Sequence, residues 1–254
     1  MYARQPAPPL SEFVSGIWAV EGYVAGPHRH ERYMPSGDSG LIIPLSDAFD
    51  PIFSGPHSRS FVLATSAQVA VAGIGFRAGG AVPFIPVPLT EAANIHVSLA
   101  DLWGAFAREL HERVVEADGL AAKVRVIECA LAARLARARR PRTEVAYALR
   151  RFRCASGTTI ADVACGAGLS RRRLADLFAA EVGLTPKVFC RVRRFHRALR
   201  ETADRRAINW TAVALDCGYY DQAHFTHDFR EFAGLTPTEY ERQRVSINHV
   251  ALAD

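Results

Sequence analysis

The sequence predicts an α+β chain, in which a mostly-β N-terminal domain ends in a pair of helices and an all-α C-terminal domain follows. Three observations predict this fold class. Pro- and Gly-bearing breaks separate short apolar runs over the first hundred residues, apolar residues recur at helical spacing from Ser98, and the C-terminal part contains an internal repeat. We expect one domain over residues 1–140, a second over 142–244 and a C-terminal tail over 245–254.

The composition is that of a globular chain. Of the 254 residues, 49% are hydrophobic and 22% are charged, which argues against disorder. No apolar run reaches the roughly 18 residues that span a bilayer, and residues 1–10 hold three prolines and no apolar segment typical of a secretory signal. Five cysteines without a Cys-x-x-Cys pair predict free thiols. These features predict a cytoplasmic chain and exclude the secreted and membrane classes.

The positive charge lies in the C-terminal part. Residues 1–140 carry 13 basic and 13 acidic residues, whereas residues 141–254 carry 18 and 13, so the net charge of +5 belongs to the second segment. All basic residues except Lys123 and Lys187 are arginine, whose planar fork suits phosphate and guanine edges. Such a segment is typical of a nucleic-acid-binding domain or of a solvated basic face, and charge alone leaves both open.

Helical spacing begins at Ser98, which we expect to cap a helix near residues 98–117. A second helix is expected near residues 120–139. The apolar stripe of the first consists of Leu99, Leu102, Trp103, Phe106 and Leu110, and that of the second of Val124, Ile127, Leu131 and Leu135. Such a pair buries its stripe either in a second copy of the chain or against its own strands, and both arrangements remain open. The first arrangement would make residues 98–139 a homodimer contact.

An internal repeat is the strongest signal in the chain. The string Ala-x-x-x-Gly at 164–168 returns at 214–218 with an offset of 50, and Gly-Leu-Thr-Pro at 183–186 returns at 234–237 with an offset of 51. The extra residue falls in the turn that follows Gly218, where an insertion costs least. Two copies of one pattern indicate a duplicated supersecondary structure.

Each copy predicts a helix, a glycine-bearing turn and a second, capped helix, which together form a helix-turn-helix. The expected caps are Thr158 or Thr159 and Ser170 in the first copy, and Asp221 in the second. The apolar stripes of the second helices are Leu174, Leu177 and Phe178 in the first copy and Phe225 and Phe229 in the second. Thr185 and Pro186 open a long linker helix between the copies. Its outer surface is expected to carry Arg191, Arg193, Arg194, Arg197 and Arg200.

Residues 142–244 resemble the DNA-binding domain of the AraC/XylS family of bacterial transcription regulators. The stretches at 160–189 and 213–240 carry the resemblance, and in the second the Gly, Asp-Gln, His-Phe, Phe-Arg and Gly-x-Thr-Pro elements fall at the family's spacing. The resemblance implies a sequence-specific regulator of transcription that is associated with the bacterial nucleoid and is not an enzyme. Its implied partners are double-stranded DNA and RNA polymerase, and no cofactor is expected.

Residues 1–140 resemble more loosely an uncharacterised domain that precedes some of these regulators. The strings at 76–81 and 101–104 carry this resemblance, and Ala78 stands where the family usually has proline. The N-terminal part is therefore expected to be a sensor domain that binds a small-molecule effector, or an assembly domain that forms the homodimer contact.

The resemblance also implies two recognition helices, near residues 170–181 and 221–232. A linker helix of about 17 residues is about 25 Å long at 1.5 Å per residue. The widths of the flanking helices bring the separation close to the roughly 34 Å pitch of B-DNA. We therefore expect the two helices to enter successive major grooves.

In the first recognition helix, Arg172, Ala175 and Asp176 match base-contacting positions of the family. Arginine can be bidentate to guanine, and alanine can touch only a thymine methyl. Asp176 stands where arginine is frequent. An ion pair with Arg172 or Arg173 is the favoured interpretation, and the alternative is that its carboxylate accepts a hydrogen bond from cytosine N4. Arg171 and Arg173 are expected to contact phosphates or to be solvated.

In the second recognition helix the matching exposed positions are Gln222, Ala223, Thr226 and His227. Gln222 can read adenine. His227 stands where the family very often has arginine, so this helix is expected to anchor the DNA backbone more than it discriminates bases. Arg193 and Arg194 of the linker helix are expected to meet phosphates.

One histidine cluster resembles a metal site. His28-x-His30-Glu31 is similar to the ligands of cupin barrels and would need a further ligand, for which His57 and His96 are candidates. A solvated loop explains the same residues and is the favoured interpretation. We therefore expect no metal there.

Two enzyme classes are the alternatives to a regulator. A DNA-repair methyl acceptor fused to a DNA-binding domain needs a zinc-activated thiolate from clustered cysteines, and residues 1–128 contain no cysteine. A metal-dependent cupin-like enzyme with a DNA-binding domain would need the histidine cluster to hold an ion. His224 and His227 lie three apart on a helix, but no third ligand stands at useful spacing.

Overall fold

The structure is a computed structural model that describes residues 1–23, 30–64, 69–154, 158–203, 208–246 and 248–252. Its strands are β1 (Tyr2–Arg4), β2 (Val14–Tyr23), β3 (His30–Tyr33), β4 (Gly40–Pro44), β5 (Ile52–Ser54), β6 (Phe61–Ala64), β7 (Val69–Phe76), β8 (His96–Ser98) and β9 (His249–Leu252). Its helices are α1 (Leu99–Trp103), α2 (Ala105–Glu116), α3 (Gly119–Leu135), α4 (Thr143–Cys154), α5 (Ile160–Gly166), α6 (Arg171–Val182), α7 (Pro186–Glu201), α8 (Trp210–Asp216), α9 (Gln222–Ala233) and α10 (Pro237–Gln243). The predicted α+β fold class is confirmed. Among the described residues, none of the helices has both the length and the apolarity needed to cross a membrane.

The chain forms two compact units, and neither is continuous along the sequence. The first unit contains Met1–Tyr23, Asp38–Pro56 and Gln68–Pro186, and the second contains Val24–Gly37, His57–Ala67 and Lys187–Asp254. The first helix-turn-helix copy, α5 and α6, belongs to the first unit, and the second copy, α8 and α9, belongs to the second unit. The domain bounds 1–140, 142–244 and 245–254 stay predictions.

A six-stranded antiparallel sheet forms the base of the first unit, with the strand order β1-β2-β7-β4-β5-β8. Strand β7 is central, because Ile74 pairs with Ile17 of β2 on one side and with Leu41 of β4 on the other. All three side chains are at most 2% exposed. Side chains alternate between the faces of a sheet, so these residues place one apolar face of the sheet in the core.

The helical pair expected after Ser98 forms, with one difference. Ser98 caps α1 and accepts an amide hydrogen bond at 3.3 Å, but the helix expected over 98–117 is broken at Gly104 into α1 and α2. Leu110 of α2 and Ile127 of α3 are buried in the core of the first unit, and Phe106 and Leu135 are half-buried against it. The pair therefore packs on its own strands, which is one of the two arrangements that the sequence leaves open.

Helices α4, α5 and α6 complete the first unit. Helix α6 packs against α4, α5 and a short 3-10 helix at Leu89–Ala92. The first recognition helix therefore packs against a segment that lies between β7 and β8 of the N-terminal sheet in sequence.

The second unit joins strands from distant parts of the chain to α7, α8, α9 and α10. Strand β3 is central in a three-stranded antiparallel sheet of order β6-β3-β9, where Arg32 pairs with Val62 on one side and with Val250 on the other. The core of this unit contains Met34, Val192, Phe195, Leu199, Trp210, Phe225, Phe229, Phe232, Tyr240 and Val250. The segment expected to be a C-terminal tail thus contributes the strand β9 to this sheet.

Candidate nucleic-acid interface

The two helix-turn-helix copies are built from the same backbone contact. In the first copy the Leu169 amide donates to the Ala164 carbonyl at 2.9 Å, and in the second the Tyr219 amide donates to the Ala214 carbonyl at 2.9 Å. Each residue of the second pair lies 50 positions after its counterpart in the first pair, which is the offset of the repeat. Ala164 and Ala214 are buried, which is why a small residue recurs at this position beside the turn. The duplicated helix-turn-helix predicted from the repeat is confirmed.

Each recognition helix begins at a side-chain cap. Ser170 Oγ accepts a hydrogen bond from the Arg173 amide at 3.2 Å, and Asp221 Oδ1 accepts one from the His224 amide at 2.7 Å. These bonds satisfy amide groups that have no partner inside the helix. Both caps predicted from the sequence are confirmed, so the Asp221 carboxylate is already engaged by its own helix.

The first recognition helix, α6, exposes a basic face. Leu174 and Phe178 are fully buried and turn the opposite face of the helix to solvent. That face holds Arg171, Arg172, Arg173 and Asp176, which are exposed, and Ala175, which is half-buried. Three guanidinium groups are therefore available to guanine edges or to phosphates.

Asp176 lies on the same exposed face. Among the residues that the structure describes, it forms no ion pair with Arg172 or Arg173. The local ion pair that the sequence favours for Asp176 is therefore wrong, and the carboxylate remains available as an acceptor for a group outside the chain.

The second recognition helix, α9, is held by aromatic packing. Phe225 and Phe229 are fully buried, and each ring centroid lies 5.7 Å from that of Trp210 in α8. The outward positions are Gln222, Ala223 and His227, which are exposed, and Thr226, which is half-buried. His227 Nε2 lies 3.8 Å from Glu231 Oε2, one turn further along α9. The exposed face of α9 is polar and carries less positive charge than that of α6.

Two threonines contact Gln222. Thr211 Oγ1 of α8 donates a hydrogen bond to Gln222 Oε1 at 2.8 Å, and Thr226 Oγ1 donates to the Gln222 carbonyl at 2.8 Å. Within the described residues, the Gln222 Nε2 group has no partner and can donate to a base. Sequence reasoning missed Thr211, because nothing local marks a contact between residues 11 positions apart.

Arg191 of the linker helix α7 is part of an ion-pair network. Its Nη2 atom lies 2.6 Å from Asp228 Oδ1 and 2.5 Å from Glu231 Oε2, and its guanidinium carbon lies 5.0 Å from the ring centroid of Phe232. The hydrogen bonds with Glu231 and Asp228 raise the pKa of Arg191. The expectation that Arg191 decorates the outer surface is therefore wrong, since this residue ties α7 to α9.

Arg193 and Arg194, the expected phosphate contacts, are both half-buried. The guanidinium carbon of Arg194 lies 5.0 Å from the ring centroid of Tyr219, a cation–π distance. A guanidinium holds its N–H donors in one plane, which suits a phosphate. The contact is therefore compatible with the expected role.

Glu31 of the histidine cluster is buried in the second unit. Its side chain accepts a hydrogen bond from Tyr33 Oη at 2.9 Å and lies 3.7 Å from His249 Nε2. Glu31 is 1% exposed, whereas His30 is exposed. Residues 30–33 form β3, so the expected solvated loop is wrong for this part of the cluster.

Among the described residues, His57 and His96 do not complete a metal-binding group with this cluster. His28 lies outside the described residues, His57 belongs to the second unit, and His96 belongs to the first unit on β8. In the described ranges, no group of three or more His, Cys, Asp or Glu side chains is placed to hold a metal ion. The cysteine side chains described are free thiols at Cys129, Cys165, Cys190 and Cys217.

Comparison with known families matches both halves of the chain. Residues 163–243 match the family described as "Helix-turn-helix domain", and this match covers both recognition helices. Residues 2–98 match a family described as "Domain of unknown function (DUF6597)". The resemblances found in the sequence are thereby confirmed.

Individual proteins resemble the chain over different lengths. The probable transcriptional regulator LumQ of Photobacterium leiognathi is 29% identical over 83 residues, which are 33% of this chain and 33% of that protein. The match therefore spans about one third of the length of this curated relative. A transcriptional regulator of Chromobacterium violaceum with an AraC-type DNA-binding domain is 26% identical, with 40% of this chain and 92% of that chain covered and a TM-score of 0.35. ToxT of Vibrio cholerae is 10% identical, with 89% and 93% covered and a TM-score of 0.43.

Proposed function

We propose that this chain, which carries an AraC-type helix-turn-helix domain behind an N-terminal domain of unknown function, regulates transcription by binding specific sequences in double-stranded DNA. Helices α6 and α9 act as recognition helices in successive major grooves. Because one chain carries both, a single copy is sufficient for an asymmetric site of about two helical turns. The enzyme alternatives are not favoured.

The placement of three arginines at the start of α6 carries the proposal. Arg171, Arg172 and Arg173 occupy the first turn, where no acidic residue accompanies them. The positive end of the helix dipole lies at the same turn, so three cations there destabilise the isolated helix. A polyanion offsets this cost, and the N-terminal residues of a recognition helix are the part that meets base edges.

The exposed side chains of α6 divide into readers and anchors. Arg172 binds guanine O6 and N7, Ala175 touches a thymine methyl, and Asp176 accepts from cytosine N4. Arg171 and Arg173 bind phosphates on either side.

The second copy reads fewer bases. Gln222 binds adenine, with Nε2 donating to N7 and Oε1 accepting from N6. Ala223, Thr226 and His227 line the same groove, and Arg193 and Arg194 of α7 bind the phosphates between the two grooves. His227 offers a weaker contact than arginine, so the second half-site tolerates more substitution.

Selection of binding sites from a random duplex library by the purified full-length chain tests the proposal. We expect one enriched motif with two conserved segments about one helical turn apart, since successive major grooves on one face are spaced in this way. Affinity should fall steeply as salt rises, because each phosphate contact releases about one counterion. Enrichment of no motif would contradict the proposal.

A charge-matched pair of triple variants separates recognition from net charge. Replacing Arg171, Arg172 and Arg173 by alanine should abolish selection of the motif. The control replaces three exposed arginines of α2 and α3 by alanine, namely Arg108, Arg113 and Arg125. This control removes the same positive charge and should still select the motif. Equal loss in both variants would mean that the binding is only a response to net charge.

The remaining partners are part of the same proposal. A regulator of this type works in the cytoplasm with RNA polymerase, responds to a small-molecule effector and is not an enzyme. The homodimer expected through residues 98–139 would have to use the polar faces of α2 and α3, because their apolar stripes pack into or against the core of the first unit. Light scattering at increasing protein concentration, with and without DNA, measures whether this homodimer forms.

A further inference from the structure

A cleft in the first unit lies between a proline-rich segment and the C-terminal part of α6. Its volume is about 500 Å³, which is within the range of small-molecule sites, about 300–1,000 Å³. One wall is the segment 82–88, Val-Pro-Phe-Ile-Pro-Val-Pro, which has no polar side chain. Leu177 and Ala180 of α6 extend this wall. This side of the cleft is therefore apolar.

Three arginines, Arg134, Arg139 and Arg142, also line the cleft. The guanidinium carbon of Arg134 lies 4.3 Å from the ring centroid of Trp103 and 5.3 Å from that of Phe106. Its Nε atom is buried without a hydrogen bond, and it forms no ion pair within the described residues. The protein has therefore removed part of the hydration of this cation and has not supplied an anion in return.

Glu181 of α6 supplies part of the missing negative charge. Its Oε2 atom accepts a hydrogen bond from the Arg142 amide at 2.9 Å. Its Oε1 atom lies 3.6 Å from Arg139 Nη1 and 3.7 Å from Arg142 Nε, distances too long for hydrogen bonds. The one carboxylate of the cleft thus lies beside two of its three guanidinium groups, Arg139 and Arg142, and the cleft keeps an excess of positive charge.

We propose that this cleft binds a small amphipathic organic anion, whose carboxylate is held by Arg134 and Arg139 and whose apolar body lies on segment 82–88 and Leu177. A planar guanidinium binds a carboxylate through two parallel N–H bonds. A neutral ligand would leave Arg134 without an anion, and an inorganic anion would leave the apolar wall uncovered. An acid with an apolar body satisfies both sides.

Occupancy of the cleft acts on α6 through Glu181. The bound carboxylate competes with Glu181 for Arg139. Glu181 lies in the last turn of the helix whose first turn carries Arg171–Arg173. A ligand in the cleft therefore changes the DNA affinity of the first recognition helix. This step, unlike the binding itself, rests on the proposed function.

Isothermal titration calorimetry of the full-length chain with octanoate and with 4-phenylbutyrate tests the binding. We expect one site per chain and a loss of affinity of about tenfold or more in Arg134→Gln and in Arg139→Gln, since each removes a charge-assisted contact. The Arg139 side chain is 61% exposed, so its replacement leaves the packing intact. Arg137→Gln is the matched control, because Arg137 is an exposed arginine of the same segment that does not line the cleft.

Octanamide and acetate are the ligand controls, because the first lacks the charge and the second lacks the apolar body. Saturable binding of either acid that requires Arg134 and Arg139 supports the site. Equal binding of octanamide or acetate, unchanged affinity in Arg139→Gln, or no saturable binding of either acid overturns it. This titration contains no DNA, so a chain that selects a DNA motif but binds no acid disproves the cleft and leaves the proposed function standing.

The coupling is measured as the affinity for the selected DNA site with and without octanoate. We expect octanoate to change this affinity in the unmodified chain and in Arg137→Gln, and to leave it unchanged in Arg139→Gln. A chain that binds octanoate in the cleft but holds DNA with the same affinity overturns the coupling through Glu181.

Discussion

Arg191 Nη2 of the linker helix lies 2.6 Å from Oδ1 of Asp228, a carboxylate of the second recognition helix that is 1% exposed. A buried carboxylate needs a paired and hydrogen-bonded cation, because loss of hydration disfavours its charged form. The other oxygen, Oδ2, has no hydrogen-bond partner among the described residues. Arg191 is therefore the group that compensates this charge and fixes α9 to α7.

Replacing Arg191 by alanine is expected to lower the free energy of unfolding by about 1.5–3 kcal/mol, because it leaves Asp228 buried without its charged hydrogen-bond donor. Arg197→Ala on the same helix is the control, since Arg197 is exposed and has no ion pair within the described residues. It should change stability by no more than about 0.5 kcal/mol. Urea denaturation of both variants measures the difference, and equal effects would show that the buried pair is not a stabilising contact.

Glu231 predicts a pH dependence of the same network. The hydrogen bond from Arg191 holds the pKa of this carboxyl below its usual value. Because the folded-state pKa is lower than the unfolded one, the stabilisation is complete above about pH 4.3 and is lost as pH falls through the folded-state pKa. The side chain is 40% exposed, so the contribution is at most about 1 kcal/mol.

The difference in the free energy of unfolding between the unmodified chain and Glu231→Gln should therefore be constant near neutral pH and become smaller below about pH 4. Glu201→Gln provides the comparison, because Glu201 is exposed on α7 and forms no ion pair within the described ranges. A difference that grows on acidification would contradict the sign of this prediction.

The two Gly-Leu-Thr-Pro strings allow a matched comparison. Gly183 and Gly234 both have positive φ, +82° and +67°, where a side chain is strained by about 1–2 kcal/mol. A Cβ at Gly183 would lie 2.2 Å from Pro56 Cγ and 2.9 Å from the Leu89 carbonyl oxygen, whereas a Cβ at Gly234 would meet the end of Arg32 at 2.8 Å. The flexible arginine can move away, but a proline ring and a backbone carbonyl cannot.

Gly183→Ala is therefore expected to destabilise the chain by about 1–3 kcal/mol more than Gly234→Ala, the usual cost of overpacking. Thermal unfolding of both single variants measures this. If the two changes cost the same, the contact between the end of α6 and the segments around Pro56 and Leu89 is not as tight as described.

The features that could be predicted from the sequence are contacts between residues only a few positions apart. Ser170 and Asp221 cap amides three positions away, so the pattern of residue types contains the whole contact. The hydrogen bond from Arg32 to the Ala233 carbonyl joins residues 201 positions apart, and no local periodicity encodes it. The contact of Arg191 with Asp228, 37 positions away, could not be predicted either. An arginine on a helix surface has the same sequence pattern whether it is solvated or paired.

Base reading and backbone anchoring should respond differently to substitution. Arg172→Ala is expected to cost about 1–3 kcal/mol on the selected site and to relax preference at one base pair. Arg193→Ala should weaken binding evenly across sequences and lower the salt slope by about one unit. Competition binding with single-base variants of the site, repeated over a range of salt concentrations, separates the two. An unchanged motif in Arg172→Ala would remove this residue from the set of base readers.

Thr211 tests whether the second copy reads a base through an oriented amide. Thr211 Oγ1 donates to Gln222 Oε1 at 2.8 Å, which fixes the amide so that Nε2 can donate to adenine N7 while Oε1 accepts from N6. Thr211→Val has nearly the same shape but no hydroxyl. It should therefore reduce discrimination at the adenine by about 1 kcal/mol, a part of the 1–3 kcal/mol that a bidentate contact is worth.

Two properties distinguish this role from general destabilisation. Thr211→Ser keeps the donor and should restore the preference for adenine, and the salt slope should stay constant in both variants because no phosphate contact is lost. Competition between the selected site and a site with the adenine replaced measures the preference directly. A preference that is the same in Thr211→Val as in the unmodified chain, or lost equally in Thr211→Ser, would show that the hydroxyl does not position Gln222 and that α9 only anchors the DNA backbone.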